Sequence, residues 1–172
     1  MRALGPGSVS SLLKIMLDVV FAGLWVALGA IGLVVLAAVL LSFDPEILSS
    51  LAGREVSSRG PVLLGGLVAL ALYLGGVLVI VGRLRRIFGA LTAGDPFHPD
   101  NVRRLRVVGL MLAGLELGRY LVWGIGLSML PDVEHVEPDF SLTAWFSVLV
   151  VFVLAEVFRE GARLRREAEL TI

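Results

Sequence analysis

Residues 19–43 form 25 consecutive positions without a charge, between Asp18 and Asp44, and residues 60–82 form 23 more between Arg59 and Arg83. A helix crosses a hydrocarbon core of about 30 Å with roughly 20 residues, so each run is long enough to cross once. The runs are continuously apolar, not alternating. That selects helices over barrel strands, because in lipid every backbone donor must find its acceptor within its own segment. Composition agrees: of 172 residues 57% are apolar and 17% charged, and the mean hydropathy is +0.90. Soluble domains hold about 25% charged residues, so a soluble fold is ruled out.

Two further stretches can cross. Residues 107–130 are interrupted only by Glu116 and Arg119, and residues 140–158 carry no charge until Glu156. The prediction is one transmembrane domain over residues 1–172, an all-α integral membrane four-helix bundle with spans near 19–43, 60–82, 107–130 and 140–158. The first span is expected to be an uncleaved anchor, because it exceeds the 7–15 residues of a signal-peptide core and no small-residue cleavage site ends it.

Charge position, not net charge, carries information here, since fifteen Lys and Arg balance fifteen Asp and Glu. Arg2 and Lys14 precede the first span, six arginines separate the second from the third, and Arg159, Arg163, Arg165 and Arg166 follow the fourth. The other two connections hold only Arg54 and Arg59, and the later one is acidic at Asp132, Glu134, Glu137 and Asp139. The positive-inside rule places both termini and the central loop in the cytoplasm, in a multi-pass protein of the bacterial inner membrane. Phe140 and Trp145 fit an interfacial aromatic belt at the outer end of the fourth span.

The central loop, residues 83–106, reads RLRRIFGALTAGDPFHPDNVRRLR. The second span is expected to run on through Ile87, Phe88 and Leu91 and to break at Gly94, Asp95 and Pro96. A new helix starts with His98 as N-cap, Pro99 in the first turn and Asp100 at the positive end of the dipole. The result is a cytoplasmic helical hairpin carrying Arg83, Arg85, Arg86, Arg103, Arg104 and Arg106 around a tip at Phe97, with Asn101 beside it. Three readings stand for these residues: topology and anchoring, contact with anionic lipid, and docking of a cytoplasmic protein. Direct nucleic-acid binding is not expected, because no groove-reading motif or stacking aromatic array accompanies the charge.

Within the third span, Glu116 and Arg119 are three residues apart and can reach each other. Near the bilayer centre they form either an internal pair that fixes packing or a proton, ion or substrate path with Glu116 as the exchanging group. Gly114 and Gly118 form a GxxxG, and Ala71 with Gly75 a second small-xxx-small pair; both motifs permit close helix approach. Gly23, Gly29, Gly32, Gly65, Gly66 and Gly76 are read as packing residues in the same way. Glu156, one or two turns from Arg159 and Arg163, is read as snorkelling or pairing there, and Asp18, four residues after Lys14, in the same way.

Catalysis finds no support. The chain has no cysteine, which removes thiolate metal sites and cysteine nucleophiles. His98 and His135 fall on opposite membrane sides and cannot share a metal, and no nucleophile elbow, P-loop or HExxH occurs. No cofactor is expected.

Two segments go beyond generic membrane patterning: GDPFHPDNVRRLRVVG in the hairpin and LAEVFREGARLRREAELTI at the end. Through Gly94, Pro96, Phe97, Asn101, Leu105, Arg106 and Gly109, and then Phe158, Gly161, Leu164, Leu170, Thr171 and Ile172, they resemble a bacterial family of small four-span membrane proteins. That family is the domain of unknown function two-nine-seven-five. The resemblance implies no established activity. It does imply a neighbouring small helix-turn-helix regulator of the Cro/CI type as a partner, for which the arginine hairpin and the charged tail offer a docking surface. The expected function is therefore that of a non-enzymatic membrane partner of such a regulator. The alternatives are a small transporter or channel-like protein using Glu116 and Arg119, and an accessory subunit of a larger membrane complex packed through its glycine-rich faces.

Overall fold

The computed structural model describes residues 9–41, 60–94, 97–129 and 139–170. The expected helix-breaking residues Asp95 and Pro96, the acidic residues Asp132, Glu134 and Glu137, His135 and the final Thr171 and Ile172 lie outside the described residues. Among the described residues there are four helices: α1 (Val9–Leu41), α2 (Gly60–Thr92), α3 (Pro99–Met129) and α4 (Leu142–Glu169). Among the described residues there is no strand.

Three of these helices are long and apolar enough to cross a membrane, over Leu12–Leu40, Val62–Thr92 and Leu142–Ala168. The helix holding the predicted third span, α3, is not one of them. It carries Asp100, Arg103, Arg104 and Arg106 in its first turns and Glu116 and Arg119 further on. The helices also outrun the charge-free segments: α1 begins ten residues before the predicted span, at Val9, and α2 continues to Thr92.

Local chemistry sets the helix ends. At Gly94 the backbone turns left-handed, φ 82°, and its N–H donates to the Leu91 carbonyl at 3.1 Å. Glycine reaches that conformation without a Cβ penalty and so closes α2. Pro99 opens α3, where the missing N–H leaves nothing unsatisfied. His98 caps it: its Nδ1 accepts from the Asp100 N–H at 3.2 Å, and its carbonyl accepts from the Asn101 N–H at 2.9 Å. Ser141 caps α4, with Oγ accepting from the Ala144 N–H at 3.2 Å.

The chain divides into two compact units. One comprises Met1–Phe21 with Gly76–Ile172, the other Ala22–Gly75. In the first, α3 and α4 run antiparallel side by side: Phe97 meets Gly161, Gly109 meets Phe152, and Arg119 meets Asp139. The final turns of α2 join them through a core of Ile87, Leu105 and Ala155, with Leu84, Leu91 and Phe158 packed around it. At Gly76 a Cβ would fall 2.6 Å from Leu115 Cδ2, so the glycine admits that leucine of α3 against α2.

In the second unit no described residue is buried. Trp25, Val26, Leu33 and Leu72 are each more than half exposed. An apolar surface of this extent suits hydrocarbon and not water. Gly23, Gly29, Gly32, Gly65 and Gly66 meet nothing within 4 Å of an added Cβ. Among the glycines read as packing residues, Gly76 makes a close approach to a described residue.

Candidate functional site

The hairpin between α2 and α3 is built from the tip inward. Phe97 packs on α4, its ring centroid 5.8 Å from that of Phe158 at an interplanar angle of 49°. The same ring lies against the backbone of Gly161. The expected docking residue Phe97 thus spends much of its surface on its own chain and remains 38% exposed.

Asn101 is completely buried. Its Oδ1 accepts from Arg104 Nη1 at 2.9 Å, and the same nitrogen donates to the Arg86 carbonyl at 3.3 Å on α2. Arg104 Nη2 also stands 3.7 Å from Asp100 Oδ2. Arg104 is accordingly a strut between the two arms of the hairpin, not a loose docking charge. A buried amide needs such a partner, because leaving it unmet costs roughly 1–3 kcal/mol.

Asp18 does not pair with Lys14 as the sequence neighbourhood suggested. It accepts at Oδ1 from Arg85 Nε at 2.5 Å, and the Arg85 guanidinium carbon lies 4.3 Å from the Phe21 ring centroid. These contacts join the start of α1 to the arginine-bearing part of α2. Beside them opens a cleft of about 350 Å³ that Lys14, Asp18, Phe21, Arg85 and Arg86 help to line.

The remaining arginines separate into two classes. In the tail, Arg159 pairs with Glu156, Arg163 reaches Glu160 at 3.3 Å and Glu167 at 3.2 Å, and Arg166 Nε donates to the Ala162 carbonyl at 3.4 Å, so these three are engaged along α4 itself. On the hairpin, Arg83, Arg86, Arg103 and Arg106 have no side-chain partner among the described residues, and Arg86, Arg103 and Arg106 are exposed. Arg103 and Arg106 stand at the foot of an outward stripe that continues through Leu110, Gly114, Leu117 and Leu121.

Glu116 and Arg119 do meet, Nη2 to Oε1 at 2.6 Å, and the Tyr120 hydroxyl donates to the same oxygen at 3.2 Å. Arg119 Nη2 also donates to the Asp139 carbonyl at 2.9 Å. Arg119 is therefore level with the chain entering α4 and not with the middle of that helix. Along α3 it lies 13 residues past Arg106, about 20 Å at helical rise. The Glu116 side chain is 11% exposed and held by two donors from its own helix, and Arg119 carries the link from this pair to the chain entering α4.

Among the described residues, an added Cβ at Gly114, Gly118 or Gly75 meets nothing within 4 Å. The close approaches fall at Gly76, Gly109 and Gly161. Of these, Gly76 is read as a packing residue from the sequence; Gly109 and Gly161 are not, because a lone glycine carries no signal of which bulky side chain will lie against it. Among the described residues no group of three or more His, Asp or Glu could hold a metal ion.

Comparison with known proteins bears on this geometry. No curated protein and no solved structure matches the chain. A family model described as "Protein of unknown function (DUF2975)" matches residues 48–172. The resemblance read from the sequence rests on residues that the fold brings together: Phe97, Phe158 and Gly161 at the tip, Asn101 and Leu105 beneath it, and Gly109 against Phe152. With the match extending over well more than half of its length, the chain belongs to the DUF2975 family of proteins of unknown function.

Proposed function

We propose that the chain is a non-enzymatic protein of the bacterial inner membrane whose hairpin is a preassembled cytoplasmic docking face for an acidic surface of a regulatory protein. The family resemblance points to a small helix-turn-helix regulator as that partner. One observation carries the reading: Arg103 and Arg106 are exposed and without a side-chain partner among the described residues, on a hairpin pinned by Phe97, Asn101 and Arg104. A fixed scaffold with unengaged guanidinium groups loses little side-chain freedom when it meets carboxylates, and that is what favours affinity. In the tail Arg159 and Arg163 already have carboxylate partners and Arg166 donates to the Ala162 carbonyl, so these offer less.

Orientation is supported by the charge asymmetry, with twelve Lys and Arg on the hairpin side of the predicted spans. In this reading α3 is the fourth crossing helix, and Glu116 with Arg119 ties α3 to the start of α4. Affinity purification of the tagged chain from its native membrane in mild detergent, with mass spectrometry of what co-purifies, tests it. The reading predicts a cytoplasmic regulator that is lost with Arg103→Glu combined with Arg106→Glu and kept with Arg163→Glu. A partner retained equally by all three proteins contradicts it, and so does recovery of membrane subunits alone.

A further inference from the structure

Between the start of α1 and the arginine-bearing part of α2, two cavities adjoin. The larger, about 350 Å³, is lined by Lys14, Asp18, Arg85, Arg86 and Gly89. The smaller, about 200 Å³, is lined by Leu78, Val79 and Arg83. Phe21, Gly82 and Arg86 border both, so the two form one groove with a charged half and a largely apolar half. From this division we infer that the groove is a binding site for an anionic phospholipid, phosphate in the charged half and the upper acyl chains along Phe21, Leu78 and Val79.

Depth is the first argument. Asp18 is the last charge before the uncharged run of α1, and Arg83 is the first charge after that of α2. The groove lies at both of these boundaries, where a lipid changes from headgroup to hydrocarbon. A soluble anion has no use for the apolar half, whereas a diacyl lipid fills both.

Charge is the second. Asp18 neutralises Arg85, which leaves Lys14 and Arg86 as uncompensated cations of the larger cavity and Arg83 at the edge of the smaller. Lys14, Arg83 and Arg86 have no side-chain partner among the described residues. Arg85 is held in place by Asp18 through Nε and by the face of Phe21. Its two η nitrogens have no acceptor among the described residues, and a fixed guanidinium edge suits two phosphate oxygens at once.

Shape is the third. The Phe21 ring lies beside Gly82, where a Cβ would stand 3.4 Å from Cε2, an ordinary van der Waals contact. At Gly89 an added Cβ meets nothing within 4 Å, so a larger side chain there would project into open space beside the groove. This inference does not depend on protein docking, which was assigned to the other arm of the hairpin at Arg103 and Arg106.

The test uses the full chain purified in detergent, with native mass spectrometry after addition of phosphatidylglycerol or phosphatidylcholine. The wild type should retain phosphatidylglycerol over phosphatidylcholine, and Lys14→Gln with Arg86→Gln should lower that retention by about tenfold or more. Both side chains are exposed, so the double variant should keep its helical circular dichroism. Gly89→Leu, which changes no charge, should lower retention as well, while Arg103→Glu with Arg106→Glu should leave phosphatidylglycerol bound. Equal retention of the two lipids overturns the proposal, as does undiminished binding in the Lys14 and Arg86 double variant. Displacement of the lipid by millimolar inorganic phosphate alone also overturns it, by identifying a site for a soluble anion.

Discussion

The ring of Phe97 packs so closely on Gly161 that a Cβ at residue 161 would come within 2.5 Å of its Cε1 atom. This contact holds the hairpin tip on α4 and forbids any larger residue at that position while the ring stays where it is. Gly161→Leu should destabilise the protein by about 1–3 kcal/mol through overpacking. Phe97→Ala should cost about 1–2 kcal/mol, less than full burial of a phenylalanine because the ring is partly exposed. Combining them removes the clash, so the double variant should be more stable than the two separate losses imply. Thermal melting in detergent across the four proteins measures that coupling.

Asn101 and Arg104 make the second fixed point. Asn101→Ala leaves an Arg104 donor without its buried acceptor and should cost roughly 1–3 kcal/mol. Arg104→Gln should show a similar loss, and the two should be strongly non-additive, because each removes the same hydrogen bond. Additive losses in a double-mutant cycle would deny the strut its role.

The Asp18–Arg85 pair joins α1 to α2, yet both side chains are about one-third exposed or more. Water screens such a pair, so Asp18→Asn should cost less than about 1 kcal/mol. The loss should shrink further at high salt, where an exposed pair is screened. Melting midpoints of wild type and variant at low and high ionic strength provide the comparison.

For Glu116 the geometry predicts a structural phenotype. Glu116→Gln should lower the melting midpoint, and so should Arg119→Leu, while the variant carrying both should recover part of the loss because no unpaired charge remains. In reconstituted vesicles Glu116→Gln should change no proton or ion flux. A flux that disappears with the carboxylate while the midpoint holds would make Glu116 an exchanging group.

How much of this could be read from the chain alone follows from the range of each interaction. The charge-free runs announced α1 and α2, because the length of hydrocarbon to be crossed is a local property of sequence. Gly94, His98 and Pro99 announced the break and restart between α2 and α3 for the same reason: caps act within one turn. Asp18 could not be matched to Arg85 across 67 residues when Lys14 stood four residues away. Gly114 and Gly118 carry the spacing of a packing motif and make no close contact among the described residues, whereas Gly161, outside any such motif, carries the tightest one. Spacing states what a helix face allows, and only the fold states what arrives there. The groove beside Phe21 was hidden likewise, since its two walls come from helices that the sequence separates by a whole span.

The docking reading requires α3 to cross the bilayer with the hairpin on the cytoplasmic side. The natural chain has no cysteine, so single cysteines can report sidedness without background. With Arg103→Cys and Asp139→Cys made separately, a membrane-impermeant thiol reagent should modify residue 139 in spheroplasts and residue 103 only after the membrane is opened. Modification of both from outside, or of residue 103 alone, would contradict the account at its foundation.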